Sequence, residues 1–64
     1  MNKLREIRVL KRVTQFQLAK LTGVYPSKIS LIENEWVEPR LDEKLKLSRA
    51  LEVNLKELFP SEPK

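Results

Sequence analysis

Thr14-Gln15-Phe16-Gln17-Leu18-Ala19-Lys20-Leu21-Thr22-Gly23-Val24-Tyr25-Pro26-Ser27-Lys28-Ile29-Ser30-Leu31-Ile32-Glu33-Asn34 is the stretch that decides the fold. Thr14 with Gln17 three residues on has the form of a capping box. The threonine hydroxyl accepts from the amide at 17, and the Gln17 side chain reaches back to the amide at 14. Leu18 and Ala19 are then expected to point inward, and Gly23 supplies the left-handed conformation that ends the helix. Such a short helix has to be held by packing. Val24 enters the core, and Tyr25-Pro26 opens the next helix with proline where no amide donor is needed. Ile29 and Ile32, three apart, face inward. Ser27, Lys28 and Leu31 fall on other faces, which leaves an apolar leucine unburied.

Working outward, Leu4, Ile7 and Leu10 recur every three residues and predict an amphipathic helix over 2–12, with Lys3, Arg5 and Lys11 outside. Residues 34–40 read as a loop, because Pro39 biases Glu38 away from helix. A fourth helix is expected from about residue 41, with Leu41, Leu45 and Leu51 inward and Ser48 as a small contact point. Asn54 caps a fifth over 55–59, carrying Leu55, Leu58 and Phe59. Pro60 stops it, and 61–64 should fray. No strand signal and no internal repeat interrupts this pattern. The fold class is all-α: five short helices around one core, in a single domain over residues 1–64.

Composition excludes several functions. With 64 residues, burial reaches only roughly 60% of the unfolded surface, so stability should be modest. The chain has no cysteine and no histidine, which removes disulfides, thiolate metal sites and the commonest general base. Its single glycine cannot form a Gly-rich phosphate loop. An enzyme is not expected, and neither is a metal or other cofactor. No stretch approaches a membrane span or a signal core, so a cytoplasmic protein that does not contact membrane is the default.

Charge is unevenly placed. Residues 1–31 hold seven Lys/Arg against Glu6 alone, a balance of +6, whereas 32–64 hold six bases and eight acids, a balance of −2. A basic half joined to a mildly acidic one favours docking on a polyanion in one orientation. A merely solvated helix surface would give the same composition.

Two short helices joined by a tight, Gly-containing turn within a basic half make a helix-turn-helix. The positions Thr14-Gln15, Leu18-Ala19, Gly23-Val24, Ile29-Ser30 and Ile32-Glu33-Asn34 resemble the signature of the Cro/lambda-repressor-like family of Cro/C1-type, or xenobiotic-response-element-type, regulators. The likeness extends upstream to Arg8. Downstream it takes in Pro39, Leu41, Leu45, Leu47, Ala50-Leu51, Val53 and Leu58, nearly the whole chain.

The resemblance implies a lambda-repressor-like domain that binds double-stranded DNA, with a recognition helix at about 26–34 in the major groove. Pro26, Ser27, Lys28 and Leu31 then occupy the base-reading positions. Ser27 can donate or accept at a base edge, Lys28 can reach guanine or a phosphate, and Leu31 suits a thymine methyl. The alternative for Leu31 is partial burial or a dimer contact. Pro26 departs from the glutamine or arginine often found there, shifting specificity toward methyl contacts and DNA shape. Gln15, Asn34 and Arg40 match phosphate-touching positions, Gln15 at a helix N-terminus suited to an anion. Arg8 and Glu33 match a structural ion pair. The family's glycines are replaced here by Arg12, Glu35 and Glu52; a left-handed backbone at those points costs about 1–2 kcal/mol each, and the alternatives are that Asn34 takes the left-handed role or that the loops differ locally.

Trp36, in the 34–40 loop, is either a lid over the core edge or, with Leu55 and Phe59 near the family's dimer region, a subunit contact. The leading expectation is a transcriptional regulator, a repressor working as a homodimer on a palindromic operator without a small-molecule ligand. The competing one is a protein-interaction module of the same fold, such as an antitoxin-like partner.

Overall fold

A computed structural model describes residues 2–60, so the expected fraying of 61–64 lies outside the described residues. It contains five helices: α1 (Leu4–Leu10), α2 (Gln15–Thr22), α3 (Pro26–Glu33), α4 (Leu41–Leu51) and α5 (Leu55–Leu58). Among the described residues there is no strand. α1 is shorter at both ends than the predicted 2–12, and α5 stops one residue short of 59.

Four of the five helices begin where a side chain takes up an amide near the helix start; α3 instead opens with Pro26, which has no amide hydrogen to satisfy. At α2 both halves of the capping box form: Gln17 N donates to Thr14 Oγ1 at 3.0 Å, and Thr14 N donates to Gln17 Oε1 at 2.8 Å. At α4 and α5 the third helical residue returns alone to the residue before the helix. Arg40 N donates to Glu43 Oε1 and Asn54 N to Glu57 Oε1, each at 2.9 Å. α1 is seated by Asn2, whose Oδ1 accepts from Leu4 N at 3.0 Å and whose Nδ2 donates to Ile32 O at 2.9 Å. Lys3 N donates to Leu58 O at 2.9 Å, joining the first helix to the last.

Three helices end by one device. Arg12, Glu35 and Glu52 have φ of 60°, 61° and 58°, and the next residue's amide donates back five positions: Val13 to Arg8 O, Trp36 to Leu31 O, Val53 to Ser48 O. These satisfy helix-end carbonyls as in a Schellman motif, at positions where a Cβ is unfavourable. Asn34, with φ −89°, does not take the left-handed role. Arg12→Gly and Glu52→Gly should each stabilise the domain by about 0.5–1 kcal/mol, strain relief less the flexibility of glycine. Thermal unfolding followed by circular dichroism should show a Tm roughly 2–8 °C higher for each. Glu35 is a less clean site, because its carboxylate accepts from Asn2 N at 3.1 Å.

The core is Leu4, Leu18, Val24, Ile29, Ile32, Leu47, Leu51, Leu58 and Phe59, with Ile7, Val13, Ala19, Ala50, Val53 and Leu55 packed against it. Two sequence expectations need correction. Leu10 is 77% exposed: a three-residue step falls short of a full turn by about 60°, so Leu10 has rotated well away from Leu4, and Val13 takes its place. In α4 the buried stripe is Leu47, Ser48 and Leu51. Leu41 is 64% exposed in the first turn and Leu45 lies at the edge of the stripe. The four-residue step from Leu41 to Leu45 follows a neighbouring face, and Leu47 carries the burial.

Candidate nucleic-acid interface

α2 and α3 are set against each other by a turn whose two ends are fixed differently. Gly23 has φ 79° and its amide donates to Ala19 O at 2.7 Å. Buried Thr22 uses one hydroxyl twice: Oγ1 donates to Leu18 O at 2.8 Å and accepts from Val24 N at 3.1 Å. The hydroxyl therefore locks the residue that leads into α3, a role the sequence reading did not assign to Thr22.

α3 is anchored by Ile29 and Ile32, both fully buried. Its other side carries exposed Ser27 and 41% exposed Leu31, with Pro26 and Lys28 half-buried and Tyr25 exposed just before it. Three of the four predicted base-reading side chains thus share a surface with a hydroxyl, a cation and a branched apolar group. Those are the groups that suit base edges, phosphates and thymine methyls.

Lys28 is not free in this arrangement. Its Nζ donates to Glu43 Oε2 at 2.7 Å, across to the first turn of α4. The Lys28 ammonium, and after it the hydrogen bond from the Arg40 amide, holds the Glu43 carboxyl below its ordinary range. Glu43 thereby ties Lys28 to the residue that opens α4, where the exposed Arg40 side chain sits. Glu43 escaped the sequence reading because arginine before α4 hides the usual Ser/Thr/Asp/Asn cap signal.

The other predicted contacts are linked through the buried end of α3. Arg8 Nε donates to Glu33 Oε2 at 2.6 Å and Arg8 Nη1 to Val13 O at 2.9 Å. Gln15 Nε2 donates to Glu33 Oε1 at 3.1 Å. Glu33 therefore holds α1, the start of α2 and the end of α3 together. Gln15 keeps its second amide hydrogen, and the backbone amides of the first turn of α2 lie beside it. Asn34 is exposed and turns its Nδ2 back to Ser30 O at 2.9 Å.

The candidate subunit contacts separate. Trp36 is 80% exposed, so it is not a lid on the core. Leu55 is half-buried against the core. Phe59 is only 6% exposed, with Lys44 Nζ 5.4 Å from its ring centre. Its ring is part of the packing of the monomer. No group of three or more His, Cys, Asp or Glu among the described residues is placed to hold a metal, and no described helix is long and apolar enough to cross a membrane.

A sequence profile of the Cro/C1-type HTH DNA-binding domain matches residues 3–64. No curated protein matches the chain.

Proposed function

The chain belongs to the Cro/C1-type helix-turn-helix DNA-binding family, and from that premise we propose that it is a sequence-specific transcriptional regulator that reads the major groove with α3. The observation that carries this is the division of α3: Ile29 and Ile32 are sealed in the core while Ser27 and Leu31 stand outside. A helix so anchored presents one rigid face at low entropic cost. Gln15, Asn34 and Arg40 flank that face at the phosphate-contacting positions, and the α2 N-terminus adds its dipole.

One such domain makes few base contacts. Two copies on a palindromic operator, with α3 helices entering successive major grooves about 34 Å apart, would supply the missing affinity. In this reading the protein represses by occupying promoter DNA, in the cytoplasm, with exposed Trp36 as a homodimer contact. Selection of bound sequences from a random duplex pool tests it. A symmetric enriched site is expected, and a pool with no enrichment refutes it. Lys28→Ala should weaken binding to the selected site, whereas Ser27→Ala should mainly relax base preference. Two variants that bind as the parent does would remove α3 from the groove.

Trp36 also favours a second reading, a protein-interaction module such as an antitoxin-like partner. A salt titration separates the two. Binding through phosphates weakens steeply as counterions compete, while docking through an aromatic anchor does not.

A further inference from the structure

We propose that Glu43 is a built-in competitor for the Lys28 ammonium, a positioning residue that keeps Lys28 off arbitrary DNA and releases it only at a matching site. The inference rests on the regulator reading above. Its basis is the 2.7 Å contact between Lys28 Nζ and Glu43 Oε2, made between the outer side of α3 and the first turn of α4. The same carboxylate accepts from the Arg40 amide through its other oxygen, so it cannot swing away with the lysine. Lys28 must leave Glu43 to meet DNA, and Glu43 stays behind as a fixed negative charge.

The consequence differs between the two kinds of DNA. Sequence-independent binding is almost wholly a matter of cations exchanged onto phosphates. A lysine already satisfied by a carboxylate gains little there and remains paired. At a matching site the base edges and the surrounding close fit add enough to break the pair. Glu43 therefore lowers affinity on both: the target loses the worth of the pair it must break, and the background only the weaker phosphate contact that Lys28 forgoes.

Glu43→Gln tests this with little disturbance, because the Gln carbonyl still accepts from the Arg40 amide while the charge is lost. On arbitrary duplex the variant should bind about two- to five-fold more tightly, within the worth of a partly exposed ion pair. Its salt dependence should steepen by roughly 0.9 in the logarithmic slope, one additional phosphate contact. On the selected site the slope should match the parent's, while the affinity should rise at least as much as on arbitrary duplex, because the pair no longer has to be broken. In a Lys28→Ala background the steepening of the slope on arbitrary duplex should disappear, because there is no lysine left to reach a phosphate. Unchanged arbitrary binding, or a steeper slope that persists without Lys28, overturns the proposal.

The parent chain gives a second readout that does not depend on how the variant folds. The Lys28 Nζ resonance should move when the selected duplex is added and hold its position with arbitrary duplex. A shift in both complexes, or in neither, also overturns the proposal. A parent that binds no duplex at any salt concentration refutes the regulator reading itself, a result separate from a parent that binds but shows no role for Glu43.

Discussion

Glu33→Ala is expected to destabilise the domain by about 3–5 kcal/mol, the loss that follows when one partner of a buried ion pair is removed. The Glu33 side chain is 3% exposed and that of Arg8 12%. Alanine at 33 would leave a guanidinium without its carboxylate inside the protein and take away the acceptor used by Gln15. A chain of this length commands only about 3–10 kcal/mol in total, so the loss should take a large share of its stability. Urea titration followed by helical circular dichroism measures the loss. The double variant Arg8→Met/Glu33→Leu should recover much of it, since no stranded charge remains. A double variant as unstable as Glu33→Ala would show that the hydrogen bonds, and not the uncompensated charge, dominate.

Ile29→Ala should cost about 2–5 kcal/mol, the lost transfer energy of the side chain plus the cavity left behind. Leu31→Ala, two residues along the same helix, should stay within about 0.5 kcal/mol of the parent, as exposed substitutions do. Their effects on DNA should be reversed in kind. Correctly folded Ile29→Ala protein should retain the parent's base preference, while Leu31→Ala should lose several-fold affinity for the selected site at unchanged stability. Denaturation curves and binding isotherms on the same samples check both. If Leu31→Ala is as destabilising as Ile29→Ala, Leu31 is a packing residue and the groove-facing side of α3 is misassigned.

How legible these features were depends on how local their causes are. The α2 cap, the Gly23 terminator and the proline start of α3 rest on residues within a few positions of one another, and the sequence names all of them. The closures at Arg12, Glu35 and Glu52 were legible only as positions where the family has glycine; the sequence leaves open whether Asn34 turns left-handed instead, and the backbone decides it. The α4 face was read one stripe aside, because Leu41, Leu45 and Leu47 offer competing spacings that only the packing of α2 on α4 resolves. The same holds for Phe59, which looks like a terminal aromatic available to a partner and is instead enclosed. The candidate site was legible as a set of positions on α3. The Lys28–Glu43 link was not, since its partners lie 15 residues apart and meet only when α4 is docked. Thr22 was missed for a related reason: a hydroxyl that both donates and accepts leaves no periodic trace.

The bond between the Lys3 amide and the Leu58 carbonyl has a consequence for how this domain comes apart. It clasps the two extremities of the helical array, so opening of one end strips a hydrogen-bond partner from the other. Loosening of the four-residue α5 would be felt at once in α1, and through Arg8 in the carboxylate that secures α3. The reading surface is thereby coupled to the two ends of the helical array as well as to its own core.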